Sequence, residues 1–422
     1  MSAPTRPAPA VTAPASPREA LRHPVQLVRW LWRDYMTPGL PGRATTATEL
    51  RWIYTAWLVA FALKMVGSTW DVSWHFRWLR DDLAPPHLLN SAGTAMVVGL
   101  VVFHSYAGYG VDRRALRLMQ AGIGTFLVAI PIDLLNHRLN GLDITSWSPS
   151  HALLYTGTAI MLAGAIRGWW LYAAPGRTRD RVSLGLWLFF LENALFPNQH
   201  QEYGVLSLAD YRAGQTTAEP SLLDFALSQG QTPTQFMLPV PPWVHPAWLV
   251  CVCLLTLVVA RRVVGLRWTA TLLAATYLGY RAVAWGLLEV GGFPPSVLPV
   301  MLLAGAVVVD LAVTRRLPGW VGGVLAGGVT FLAALVQDLL AVIPPWNWWS
   351  AGPVVLGFAV LWAGLDRLER SAWAASWRAP VELAPAAGPA TDAVGRAADV
   401  PAGPSAAEPG SHVVRSGRSP RR

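Results

Sequence analysis

The chain has 422 residues, 53% hydrophobic and only 14% charged, with 22 Trp and a formal net charge of +9. So little charge beside so much apolar residue excludes an ordinary soluble domain. The positive balance would suit nucleic acid, but the arginines stand in short connections between apolar runs, where membrane proteins carry them; the expected partner is the lipid bilayer and no nucleic acid is expected.

Residues 1–48 open with Pro, Ala and Ser, a composition that favours disorder. Within them, residues 21–36 set Val25, Leu27, Val28, Trp30, Leu31 and Trp32 among Arg22, Arg29 and Arg33, which predicts an interfacial amphipathic helix. Apolar runs then predict membrane helices at 50–68, 87–108, 116–135, 151–173, 182–196, 244–259, 268–290, 297–313, 320–343 and 353–365. The expected fold is therefore all-α, a polytopic transmembrane helical bundle of about ten helices. Arg113 and Arg114, Arg167, Arg177 and Arg179, Arg261 and Arg262, and Arg315 and Arg316 alternate with loops poor in Arg, so both termini are expected to be cytoplasmic. The expected location is the cytoplasmic membrane of a bacterium. Residues 49–173 form one four-helix unit, 174–366 hold the further helices with a long outer loop at 197–243, and 367–422 read as a disordered cytoplasmic tail. Cys251 and Cys253, the only cysteines, lie two apart in an apolar run, face different ways and imply no disulfide framework.

Inside the four-helix unit one pattern occurs twice. Asp71 is followed four residues later by His75, then by Pro85, His87 and Gly93; Asp133 is followed by His137, then by Pro149, His151 and Gly157. Four residues is one helical turn, so each Asp shares a face with its His. Each copy thus offers one carboxylate and two imidazoles from adjacent helices, a ligand set that suits a transition metal. Both copies fall on the outer side of the arginine-based topology. Lys64, Ser68, Asp71 and His75 make one polar stripe, His87, Asn90, Ser91 and Thr94 a second, and His151, Tyr155 and Thr158 a third. Ser68, Asn90 and Tyr155 are read as supporting groups, and Lys64 as reaching upward to keep Asp71 ionised. That makes the first copy the better predicted metal site. The same ligand set would take copper, iron or zinc.

This double pattern resembles the C subunit of the copper membrane monooxygenases, the particulate methane and ammonia monooxygenase family. In that all-helical subunit one metal site reads Asp-x3-His with a second His about a dozen residues on, and a neighbouring site reads Asn-x3-His with its second His slightly further. The resemblance implies a first site at Asp71, His75 and His87 and a second at Asp133, His137 and His151. The separations, 87 − 75 = 12 and 151 − 137 = 14, keep the short-then-long order. Asp133 stands where the family has Asn, and no cupredoxin-like domain accompanies the pattern. The resemblance covers residues 50–160 and implies copper, O2, a small apolar substrate, and further monooxygenase-type subunits or a homo-oligomer as partners. Two other classes stay open: a membrane metal carrier or assembly factor without turnover, and a structural scaffold in which Asp and His only cap helices.

The remaining polar residues carry weaker expectations. His200 and His245 flank the expected outer loop and would make a third site with Glu192 or Glu202, but they lack the Asp-x3-His spacing and are read as surface histidines. Arg281 is predicted to form an intramembrane ion pair with Glu289 or Asp338. His104, roughly 25 Å along the helix from His87, cannot join that site.

Overall fold

The computed structural model describes residues 45–79, 83–140 and 145–381, apart from the side chains of 137–140. The expectations for the N-terminal interfacial helix and for the tail beyond 381 lie outside the described residues. The described residues hold helices and no strand. In chain order these are α1 (Ala47–Trp74), α2 (Pro85–Ala107), α3 (Arg113–Asn140), α4 (Pro149–Tyr172), α5 (Arg177–Arg212), the short α6 (Pro220–Ser228) and α7 (Pro233–Met237), α8 (Val244–Val264), α9 (Thr269–Val290), α10 (Met301–Thr314), α11 (Gly319–Leu340), α12 (Ala351–Glu369) and the short α13 (Ala372–Arg378).

Six of them, α1, α2, α3, α8, α11 and the stretch Trp348–Glu369 that contains α12, are long and apolar enough to cross a membrane by length and composition. Large apolar side chains such as Val128, Leu287, Leu339 and Leu356 stand exposed along these and neighbouring helices. Water would penalise such surfaces and hydrocarbon would not, so the chain is read as an integral membrane protein.

Local chemistry sets the helix starts. Thr46 and Glu49 form a reciprocal capping box at α1. Pro85 and Pro86 occupy the first two positions of α2, where a missing N–H leaves no bond unmade. Ser148 caps α4 through the His151 N–H, with Pro149 first in the helix. The glycines of the repeat set the helix spacing. A Cβ on Gly93 would lie 2.7 Å from the Ala60 carbonyl oxygen of α1, and one on Gly157 would lie 2.7 Å from the Phe126 backbone nitrogen of α3. The repeat is therefore two closely packed helix hairpins, α1–α2 and α3–α4.

Two apolar cores result. Trp57, Phe61, Val97, Met119, Met161 and Trp169 centre the first, between α1, α2, α3 and α4. Leu254, Leu273, Met301, Val309, Phe331 and Phe358 centre the second, among α8 to α12. Helix α5 joins the two, giving Leu186 to the first and Leu191 and Leu195 to the second. A smaller group of Val72, Phe76, Tyr203, Leu222 and Phe236 covers the end of α1 where Asp71 lies.

Two boundaries differ from expectation. The outer loop predicted from residue 197 is helical to Arg212, with Pro197 inside α5. Its polar run Asn198–Glu202 is buried rather than solvated. Residues 367–378, assigned to the predicted disordered tail, are mostly helical: α12 runs to Glu369 and α13 covers Ala372–Arg378. This last segment is fastened to the first unit. Arg114 donates to the Ser376 carbonyl, and Arg167 donates to the Trp377 and Ala379 carbonyls and to Asp112. Burial disfavours the charged form of Asp112, but Arg167 and the N–H groups of Ala115 and Val381 outweigh it and hold the carboxyl below its usual range.

Candidate metal centre

Helix α1 runs past residue 68, so Asp71 sits on its last turn and His75 is its C-cap, one turn on along the same face. His87 is the third residue of α2, held there by the two prolines before it. Asp71 Oδ1 lies 3.5 Å from His75 Nε2 and 2.8 Å from His87 Nε2. The two rings stand edge to face, 6.3 Å between centroids. One ligand atom from each of the three residues lies within 4.8 Å of the others. Asp71 Oδ1 is buried and accepts no aligned hydrogen bond, although two imidazole nitrogens face it. Two imidazole nitrogens and a carboxylate oxygen directed at one point suit a metal ion, although Asp71 and His87 already pair directly at 2.8 Å. Bonds of about 2.0–2.2 Å would set the donor atoms some 3–4 Å apart, so no pair needs to close by more than about 2 Å.

The second copy is built differently. Asp133 is buried on α3, and the side chain of His137 lies outside the described residues. His151 Nδ1 stands 2.7 Å from the Thr145 carbonyl oxygen and 2.9 Å from Ser148 Oγ. A carbonyl only accepts, so Nδ1 carries the proton and Nε2 is the basic nitrogen. Among the described residues, only the first copy brings three such groups together.

Both copies nevertheless face one space. A cavity of about 170 Å³ is lined by Asp71 and His87 from the first copy, Asp133 and His151 from the second, and Lys64 and Glu192. Phe61, Phe126, Phe189 and Phe196 supply apolar wall, and Tyr155 and Asn193 line it too. Three acidic side chains, two imidazoles and one lysine thus line a single low-dielectric space. Of this wall, the sequence marks only Glu192, as an acid inside the apolar run 182–196.

Lys64 and Ser68 behave otherwise than predicted. The Lys64 ammonium donates to Asn90 Oδ1 and Thr94 Oγ1, each at 3.0 Å, and lies over the Phe126 ring at 3.9 Å. Its three N–H groups are thus engaged sideways with α2 and α3 rather than upward with Asp71. Ser68 Oγ donates back to the Lys64 carbonyl at 2.8 Å, the usual local bond of a serine inside a helix. Asn90 orients Lys64, and Tyr155 stands edge-on to Trp248.

The third grouping is also corrected. His200 and His245 are buried, 2% and 1% exposed, not surface residues. They do not share a partner: His200 Nε2 donates to the Phe236 carbonyl at 3.2 Å, while His245 Nε2 lies 3.7 Å from Glu202 Oε1. Arg281 pairs with Glu202 at 3.1 Å, not with Glu289 or Asp338, both of which are exposed. His104, as expected, belongs elsewhere: it accepts from Trp57 Nε1 at 3.0 Å and donates through Nδ1 to the Tyr109 carbonyl. Compared with family models, curated proteins and solved structures, the chain matches none.

Proposed function

We propose that the protein is a membrane metalloprotein in which Asp71, His75 and His87 hold a single first-row transition ion at the edge of the shared chamber. The convergence of three ligand atoms within 4.8 Å carries this reading. Copper is the ion the resemblance to the monooxygenase C subunit favours, and iron and zinc fit the same ligands. The reaction proposed for this centre is O2-dependent hydroxylation of a small apolar substrate. Such a reaction consumes O2, two electrons and two protons and returns the hydroxylated product and water, so it requires an external reductant, delivered by partner subunits or a membrane-soluble donor. A copper or iron ion would supply the redox chemistry; zinc would not. The chain's own residues bind and exclude. Asp71 would neutralise ion charge, the imidazoles would fix it, and Phe61, Phe126, Phe189 and Phe196 would give an apolar substrate its contact surface. At about 170 Å³ the chamber is of the order of the roughly 150 Å³ cavity known to take benzene, which bounds the substrate to about that size.

The same centre supports a metal carrier or assembly factor. The observation in its favour is that Asp71, His75 and His87 keep 12–20% of their side-chain surface exposed, which would let an ion exchange. Metal analysis of the full chain in native lipid tests the centre itself, and O2 consumption with a small hydrocarbon separates the enzyme from the carrier. If no transition ion binds, the Asp71–His87 contact is helix-end scaffolding.

The topology proposed for this function has about ten membrane helices, both termini in the cytoplasm of a bacterial cell, and the ion towards the outer face. It is supported by the alternation of arginines. Helix α5, about 54 Å long at 1.5 Å per residue, would then span from inside to outside. Cysteines placed at Thr178 and Gln215, both exposed, should label from inside and outside respectively; the reverse pattern sinks the assignment.

A further inference from the structure

At the opposite end of the four-helix unit from Asp71, a second and larger cavity of about 850 Å³ opens where α1 begins, α4 ends and α5 begins. Its volume is within the roughly 300–1,000 Å³ of ligand sites. Three arginines line it, Arg51, Arg177 and Arg179, and no carboxylate of the described residues does. Arg179 is steadied by a hydrogen bond to the Trp170 carbonyl and by the Trp170 ring. Arg51 and Arg177 are exposed and have no ion-pair partner among the described residues. Tyr172 stands exposed on the same wall, and Trp169, Leu50 and Val111 are buried behind it. Trp169 is fixed by donating its indole N–H to the Arg179 carbonyl at 3.0 Å, so the aromatic and basic parts of the wall are one construction.

We propose that this cavity binds the phosphate-bearing headgroup of an anionic phospholipid. The charge complementarity is one-sided: three guanidiniums without an acid can be matched only by an anion, and guanidinium suits phosphate by its two-pronged geometry. The apolar depth beside the arginines suits glycerol and the first acyl carbons, which free phosphate would leave unfilled. Tyr172, exposed at the rim, is of the type that settles at headgroup level, and basic pockets between membrane helices are where such headgroups bind. This site is independent of the metal centre and of the reaction proposed for it.

The test is native mass spectrometry of the full chain from nanodiscs of mixed phosphatidylglycerol and phosphatidylcholine, with Arg51→Gln/Arg177→Gln as the variant. Both side chains point outward, so folding should be kept, and an unchanged melting temperature in pure phosphatidylcholine verifies it. The wild type is expected to retain one phosphatidylglycerol in preference to phosphatidylcholine. The double variant should lose that preference by roughly thirtyfold, about fivefold for each arginine near an anionic surface. Equal retention of the two lipids, or equal retention by variant and wild type, overturns the proposal. Displacement of the lipid by millimolar inorganic phosphate would also overturn it, since it would mark a free-anion site. Preference for phosphatidylglycerol that appears only after residues before 45 are removed would show that the chain's own N-terminus fills the cavity, and would overturn it as well.

Discussion

The two hairpins carry the same motif and use it differently. In the first, the Asp, its i+4 His and the His that opens the next helix turn their donor atoms to one point. In the second, the corresponding His151 is tied through Nδ1 to Thr145 and Ser148. The shared Pro and Gly do the same work in both, starting a helix and letting two helices touch. A duplicated motif is thus a mixture: one part builds the hairpin and is equivalent in both copies, and the other part is free to diverge. The copies meet again at the chamber, which residues of both line.

The equivalent part should break both copies alike, and with the largest effect. Gly93→Val and Gly157→Val each drive a side chain into backbone atoms 2.7 Å from the new Cβ. No rotamer relieves a backbone clash, so each should cost about 3 kcal/mol or more, read as lost thermal stability or lost membrane insertion. A tolerant Gly157 would mean that the second hairpin is looser than the first.

The divergent part should separate the copies. His87→Ala should weaken transition-metal affinity by more than the 10–100-fold expected of an outer-shell change, whereas His151→Ala should alter it by less than about tenfold. Isothermal titration in detergent reads both. Because imidazole must be neutral to bind an ion, acidification should release the metal from the wild type and raising the pH should restore it. Retention that is flat from pH 8 to pH 5 would remove the histidines from the site. The smallest effect is expected at Lys64. Lys64→Met breaks its bonds to Asn90 and Thr94 but touches no ligand, so metal affinity should change by less than about threefold. A larger loss would restore the direct link from Lys64 to Asp71.

Much of this was legible in the sequence, for identifiable reasons. Apolar runs marked the helices, and Pro85-Pro86 and Ser148-Pro149 marked two of their starts. The i, i+4 relation of Asp71 and His75 needs only helical geometry, and His87 follows because a short connection returns the chain beside it. What could not be read was which polar groups find distant partners. Asn198–Glu202 looks like a solvated loop until Arg281 and His245, 79 and 43 residues beyond Glu202, are brought against it. A run of charges and amides inside a helix is then stable because its partners are buried with it. Lys64 was placed on the correct face but given the wrong neighbour. Along its own helix the nearest acid is Asp71, and only tertiary packing shows that Asn90 and Thr94 of the adjacent helix are nearer.

The most direct measurement of the central claim is metal content per chain, by mass spectrometry of purified full-length protein in native lipid. It should be compared with Asp71→Asn and Asp133→Asn after equilibration with copper, iron and zinc in turn. One ion per chain in the wild type and in Asp133→Asn, and none in Asp71→Asn, is the result expected. Two ions per chain, or an ion that survives Asp71→Asn, would contradict a single centre built on the first hairpin.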